Sequence, residues 1–528
     1  MANIKIRDIT GTDRTYTTTK VTFRDAVNEG EMITFTEGDG TTVSPLTVTE
    51  NGTYTAEEGT AYSPVTVNVS GGGGGSSDDV RFIDYDGTVV QQYSAAEFLA
   101  LTDMPDNPTH EELISQGWNW TLQNAQDYVK DYKMLDIGQM YVTHDGATRL
   151  YVHMDEGRLN PYMSFNITGT VSVDWGDDTP IDTRSVSGIS GENYSHMYSI
   201  AGDYIITISP GEAGGIFITG SSVGTYLLKS QSNNANYNKT YAACIRHIML
   251  GKGVTLYDSA FRDCANLIDI SIPSTAVFDG AHLFMNCYSL KSVTIPSGVT
   301  SLKTQFLYSC YSLETVCIPK EATGTIYNAF TGCQSLCKVA IPKGKTDIEE
   351  LAFNGCHALK CIMIPDGVTT IGTNAFTASI IKEITLPETL TYIGSNSFNG
   401  CYALQSVKIP NSVTSAGTQV FASNYGLKTA IISNQLQTIP AGLFTNCKSL
   451  SNITIPQSVT SIAANAFSSC FGLGFVRFES SLPPTVAASS AWNNLPTDCV
   501  IYVPSGSLSA YTSATNYPSS STYTYVEY

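Results

Sequence analysis

The feature that most constrains this chain is a period of 23 residues running through its C-terminal half. Proline follows an apolar residue at positions 273, 296, 319, 342, 365, 387, 410 and 456, in steps of 23 with one of 22 and one of 46, and Ser433 fills the long step. Phenylalanine recurs at 261, 284, 330, 353, 376, 398, 421, 444 and 467, with Leu307 completing the series. Three residues after each of these comes Cys264, Cys287, Cys310, Cys333, Cys356, Cys401, Cys447 or Cys470, with Ser379 and Asn424 as substitutes. The unit reads A-F-x-x-C-x-x-L-x-x-V-x-I-P-x-x-V-T-x-I, and ten copies span the region 241–479. A fixed period of this length is the signature of a solenoid.

Within Leu290–Ile295 the apolar Leu, Val and Ile alternate with Ser292 and Thr294, which predicts one short strand per turn. The proline stops that strand. A single turn cannot bury its own apolar face, but stacked turns share one core. Ten turns at ~4.7 Å each make a rod about 45–50 Å long. The cysteine column then reads as buried, reduced thiols, because in-register Cβ atoms stay ~4.7 Å apart rather than converging to the ~3.8 Å of a disulfide. Cys356 and His357 are not expected to form a catalytic pair, since neighbours in extended chain point to opposite sides. The outward strand positions (Ser292, Thr294, Thr315, Lys338, Glu383, Thr385, Ser406, Lys408, Asn452, Thr454, Arg477) predict a small, polar exposed sheet.

This pattern resembles the BspA-type, or treponemal-type, leucine-rich repeats, which occur in bacterial surface adhesins and in proteins of gut bacteria and their phages. The resemblance implies a leucine-rich-repeat solenoid, and, separately, no enzymatic activity is expected. The tail from Leu482 to Tyr511, within 480–528, is similar to the usual end of such arrays and is expected to cover the open edge of the last turn.

The first half divides into four parts. Residues 1–70 carry short period-2 runs such as Pro64–Val69 and predict an N-terminal β segment. Gly71 to Gly75 opens a flexible linker, 71–79. Residues 80–148 predict a small α/β module. It has a hairpin around Asp86-Gly87, a capping box at Ser94–Glu97, a second helix capped by Thr109 and a third running from Thr121 to about Tyr132. Strands are expected at Gly138–Val142 and Arg149–Val152, and Trp118 and Trp120 read as core. Residues 149–240 read as a β-sandwich. Val171-Ser-Val-Asp-Trp-Gly-Asp-Asp-Thr with His196-Met-Tyr-Ser-Ile-Ala-Gly-Asp-Tyr-Ile-Ile-Thr-Ile resembles the polycystic-kidney-disease (PKD) type of Ig-like domain, which implies that these segments lie on neighbouring strands. Asp174, Asp177 and Asp178 read as turn formers rather than calcium ligands. Glu50–Thr55 with Tyr62–Val69, and the module's Asp84–Val89, Gly117–Leu122 and Ile137–Thr143, are similar to segments of tail proteins from phages of gut Firmicutes.

The net charge is −19 with only 14% charged residues, which argues against nucleic acid and anionic lipid as partners. No serine-hydrolase, zinc-protease, Walker or dinucleotide motif is present, and the seven histidines are scattered. Asp347, Glu349 and Glu350 cluster, but read as a solvated loop rather than a glycosidase pair. No catalytic residue, metal ligand or cofactor is expected. The candidate ligand-binding residues follow the cysteine column: Tyr288, Tyr311, His357, Tyr402, Tyr425 and Phe471, with Gln334 and Lys448 in the same column. Aromatic rows of this kind stack on sugar faces and anchor interfaces.

The resulting expectation is a phage tail fibre or receptor-binding protein that attaches to a bacterial surface glycan or protein through the solenoid. Residues 1–70 would join it to other virion tail or baseplate proteins, and a homo-oligomer, as a trimer, is expected. Met1–Asp8 lacks a basic-then-apolar leader and no apolar run reaches membrane-spanning length. Assembly in the host cytoplasm, release by lysis and location in the virion tail follow as expectations. The alternatives are a bacterial leucine-rich-repeat adhesin or an internal virion scaffold.

Overall fold

The structure, a computed structural model, describes residues 79–212, 214–218, 227–230 and 235–528, and before them only short strands. The chain is mostly β and divides into two compact units, Met1–Asp79 and Val80–Tyr528. In the first, Asn3–Arg7 pairs antiparallel with Asp13–Thr17, Met32–Thr36 with Thr42–Thr47, and Thr53–Tyr54 with Val67–Asn68. The glycine run 71–75 lies outside the described residues.

In the second unit the repeat forms the expected solenoid. Short parallel strands stack in register 23 residues apart, for example Ser292↔Thr315 and Lys338↔Cys361. One ring per turn stacks on the next from Phe330 through Phe353, Phe376, Phe398, Phe421 and Phe444 to Phe467, with centroids 5.2–5.9 Å apart. Trp492 closes the ladder on Phe467 at 5.2 Å. The cap then adds two strands, Val500–Val503 and Thr524–Glu527, parallel to Phe475–Phe478.

All thirteen cysteines are free. The column is buried, and from Cys287 onward each thiol donates to the carbonyl of a residue one turn back, as Cys287 Sγ does to Phe261 O, Cys356 Sγ to Phe330 O and Cys470 Sγ to Phe444 O, all at 3.2 Å. A small side chain with a weak donor suits the bend, and Ser379 in the same column places its Oγ 3.2 Å from the thiol of Cys401 on the next turn. Asn424, the other substitute, finds no side-chain partner there.

The sandwich is built on the long strand Tyr162–Asp174. This strand pairs antiparallel with Asp182–Ser195 along its length, with Gly202–Pro210 at one end, with Gly215–Ile218 near its middle and with Leu228–Lys229 at the other end. The Trp175 and His196 segments therefore adjoin, with Asp174 opposite Thr207. Two strands of this layer run directly into the solenoid. Thr148–Met154 pairs with Ile245–Met249, which pairs parallel with Asp269–Ser271, while Gly215–Ile218 pairs parallel with Val254–Leu256 and that strand with Val277–Phe278. The sandwich thus covers the open N-terminal edge of the array, as a solenoid requires, and one continuous apolar core runs from Leu150 to Tyr511.

The α/β module has a four-stranded sheet in the order Val89–Ser94, Asp79–Ile83, Leu135–Thr143, Leu113–Trp118. The capping box at Ser94 and the Thr121 cap form as expected, opening helices Ala95–Leu99 and Leu122–Tyr132. The helix expected from Thr109 does not form. His110 makes an isolated bridge to Leu113, and the chain enters the strand Leu113–Trp118. Ile114 and Gly117 are poor helix formers, and pairing with Leu135–Thr143 outweighs the local cap signal.

The module lies across the solenoid, which explains why every residue of its central strand Leu135–Thr143 is buried. Odd positions of that strand, Leu135 and Ile137, face the module's own helices. Even positions face the repeat: Asp136 meets Lys338 at 3.0 Å, and a Cβ placed on Gly138 would come within 2.2 Å of Thr294 Oγ1.

Candidate functional site

Each solenoid turn bends at the residue before the cysteine, which adopts a left-handed conformation: Asn286, Ser309, Ser423, Asn446 and Ser469 have φ of 57–64°, and Gly332, Gly355 and Gly400 take the same position. Glycine meets this demand without strain and asparagine tolerates it. The bend turns the cysteine into the core and the following side chain out to solvent. That geometry creates the ridge formed by Tyr288, Tyr311, Gln334, His357, Tyr402, Tyr425, Lys448 and Phe471.

Tyr288 is 39% exposed, Tyr402 51% and Phe471 54%. The ridge resolves into stacked pairs rather than one unbroken stripe. Tyr288 and Tyr311 stack at 4.9 Å with planes 6° apart, and Tyr402 and Tyr425 at 5.1 Å and 26°. Lys448 sets its ammonium 4.5 Å from the Tyr425 ring and extends the second pair by a cation–π contact. Between the pairs lie Gln334, His357 and Ile380. Ile380 keeps the 23-residue step from His357 but follows Ser379 rather than a cysteine, and the short step of 22 comes after it, on the way to Tyr402. His357 is exposed and its Nδ1 lies 3.0 Å from the Ala378 carbonyl, so it braces the next turn rather than meeting Cys356. Four turns at ~4.7 Å separate Tyr311 from Tyr402 by roughly 19 Å.

The strand face differs between the two halves of the rod. Ser292, Thr294 and Thr315, expected to be outward and polar, are buried (0%, 3% and 6% exposed) because the α/β module covers them. Sequence alternation placed them on the correct face, but a separate domain lies over it. Further along, Ser406, Lys408, Thr429 and Arg477 are exposed, as is Ile431. Thr429 and Ile431 drop out of the sequence pattern because Ser433 replaces the proline that marks their turn.

The seam beneath the module has its own logic. Continued one step, the parallel ladder would send the amide of each proline position to the isoleucine carbonyl of the turn before, but Pro319, Pro342 and Pro365 have no N–H. The module supplies the missing donors, one turn after another: Asn119 Nδ2 to Ile295 O (3.1 Å), Trp120 Nε1 to Ile318 O (2.9 Å) and Tyr128 Oη to Ile341 O (2.9 Å). On the following turn Tyr132 Oη accepts from the Asp366 amide at 3.1 Å. Trp120 is buried in the module's core, whereas Trp118 is half-buried and donates to Pro105 O.

Two remaining candidates have structural roles. Glu349 does not sit in a solvated loop. It accepts from the buried ammonium of Lys345 at 2.8 Å and from the Ile326 amide at 3.2 Å. Asp174 accepts from the Gly176 amide, and Asp177 from Thr179 Oγ1 and, at 2.8 Å, from His196 Nε2, which stacks on Trp175. Among the described residues, no cluster of three or more His, Cys, Asp or Glu side chains could hold a metal ion, and no helix is long and apolar enough to cross a membrane.

Residues 254–381 and 369–487, within the solenoid, match the family model described as a BspA type leucine rich repeat region of six copies. No curated protein matches the chain. Solved structures with which it shares similarity include a leucine-rich repeat protein from Bacteroides ovatus, 22% identical, covering 54% of this chain and 85% of that one with a TM-score of 0.42. Another is a leucine rich cell surface protein from Faecalibacterium prausnitzii, 26% identical, covering 51% and 87% with a TM-score of 0.32. A third is a leucine rich repeat protein from T. pallidum, 32% identical, covering 28% and 69% with a TM-score of 0.27.

Proposed function

We propose that this chain is a non-enzymatic attachment protein that binds a bacterial surface glycan or protein through the aromatic ridge of its leucine-rich repeats. The observation that carries the reading is the pair of exposed, stacked tyrosine couples on a rigid rod, Tyr288 with Tyr311 and Tyr402 with Tyr425. Ring faces in a fixed row suit an extended polymer that repeats its sugar units, and a spacing of roughly 19 Å lets one strand engage both couples. Each contact is weak, and two on one rod add avidity.

We further propose that the carrier is a virion, with residues 1–70 joining tail or baseplate proteins in a homo-oligomeric, trimeric fibre. The support is the likeness of the N-terminal segments to phage tail proteins. A bacterial surface adhesin is the second reading, favoured by the BspA-type repeats themselves. Immunogold labelling separates the two, since a tail fibre labels virion tips and an adhesin labels cell envelopes.

The ridge is tested with the full chain on intact cells of candidate gut hosts. Tyr311→Ala with Tyr402→Ala is expected to weaken binding at least tenfold, about 1.4 kcal/mol. Being exposed, the same changes should leave stability within about 0.5 kcal/mol. Undiminished binding by the double variant would refute the ridge as the contact surface.

A further inference from the structure

A second concave site lies away from the ridge, where three segments of the chain meet. The α/β module contributes Tyr85 and the stretch His110–Leu113, the sandwich contributes Tyr151, and the first solenoid strands contribute His247, Met249 and Asp269. Together they line a cavity of about 480 Å³, within the range of small-ligand sites.

Its walls are aromatic rings held edge-on in couples. Tyr85 meets His110 at 5.2 Å and Tyr151 meets His247 at 6.1 Å. Both histidines are oriented by carboxylates: His110 Nε2 lies 2.8 Å from Asp84 and His247 Nδ1 lies 2.9 Å from Asp269. A neutral imidazole that donates to its carboxylate leaves its other nitrogen as an acceptor. His110 Nδ1 and His247 Nε2 make no hydrogen bond to a described residue, and in the neutral tautomers that donate to Asp84 and Asp269 they are open acceptors. Tyr151 spends its hydroxyl proton on Glu112, at 2.7 Å. The lining therefore presents two ring nitrogens and the carboxylates of Glu111, Glu112 and Asp269 as acceptors, with the Tyr85 hydroxyl as the remaining donor, and it contains no Lys or Arg. Of the cations whose charge reaches the lining, Arg149 acts on Tyr151 but is engaged by Asp145 at 2.7 Å, and Lys291 acts on Asp269.

We infer that this cavity binds a small organic cation: an ammonium group carried on a hydroxylated scaffold, as in an amino sugar. A ligand rich in donors meets the surplus of acceptors, and its positive charge finds carboxylates beside the Tyr85 and Tyr151 rings that line the site. The Tyr85 phenol reports the same field. Its pKa is pushed up to about 12, by burial first and then by the charges of Asp269, Asp86, Asp84 and Glu112. The site does not involve the ridge, so it stands or falls independently of the attachment reading.

The test uses the full chain and isothermal titration with glucosamine, against glucose as the neutral counterpart. Glucosamine is expected to bind at least tenfold more tightly than glucose. Glu112→Gln and Tyr85→Leu should each weaken it at least fivefold, while Tyr402→Ala leaves it unchanged. Tyr85→Phe keeps the ring and the packing, so it separates loss of the site from loss of the fold and should retain most of the affinity. Equal affinity for the two sugars, no heat with glucosamine up to 50-fold above millimolar concentration, or insensitivity to Glu112→Gln would overturn the inference.

Discussion

The buried ion triad at the seam offers the sharpest test of how the module is held on the solenoid. Asp136 accepts two bonds from Arg81, at 2.9 and 2.7 Å, and pairs with Lys338 across the seam at 3.0 Å. The carboxylate is 5% exposed, and the two cations 19% and 16%. At an effective dielectric of about 20, each contact is worth about 5–6 kcal/mol of gross Coulomb attraction. Desolvating three charges takes most of that back. Removing only the acid leaves two half-desolvated cations facing each other, and breaking a buried pair in this way costs about 3–5 kcal/mol. Asp136→Ala is therefore expected to lower unfolding stability by that amount at pH 7, measured by chemical denaturation with circular dichroism.

The pH dependence carries a definite sign. Burial alone would raise the Asp136 pKa, but Lys338 and Arg81 outweigh it and hold the group below the usual carboxylate value. A depressed native pKa stabilises the fold above the unfolded value of about 3.9, and that stability is lost as pH falls through the lower, native value. The gap between the native chain and Asp136→Asn should be full at neutral pH and close below about pH 4. The triple change Arg81→Met, Asp136→Leu, Lys338→Met should recover most of the loss, because no charge is then left without a partner. If the triple variant is as unstable as Asp136→Ala, the cost does not come from unpaired charge and the reasoning fails.

Three further outcomes are expected. Asn119→Ala takes the donor from the Ile295 carbonyl and the acceptor from the Gly138 amide, and should cost roughly 2–6 kcal/mol at about 1–3 per buried group; faster proteolytic cleavage of the module would report it. Gly138→Val should dislodge the module without unfolding the repeat, seen as new hydrogen exchange at Ser292 to Cys317, because its side chain would drive into Thr294 and Cys317. Thiol labelling of the native protein should modify only the partly exposed Cys337 and Cys361. The column should react only after unfolding, since burial pushes Cys401 up to about 11 and Cys470 to about 12.

The repeat was legible residue by residue. Once proline, phenylalanine and cysteine recur every 23 positions, the strand, the buried ring, the inward thiol and the outward residue after it all follow, because a stacked turn imposes one environment per column. The two sequence-marked helices with side-chain caps were legible for the same local reason. The Thr109 cap misled because strand pairing of Leu113–Trp118 is a long-range choice that no local signal carries.

What only the tertiary structure decided concerns contacts between columns and elements far apart in the chain. Period-2 alternation placed Ser292, Thr294 and Thr315 on the outer face correctly, yet could not show that Asp136 and Gly138, more than 150 residues earlier, cover that face. The same holds for the acceptor-rich cavity, whose histidines come from segments 137 residues apart and mean nothing singly. A one-dimensional repeat writes its own cross-section into sequence because each turn meets only its neighbours. Where another element lies across it, the partners share no period, and only the folded chain brings them together.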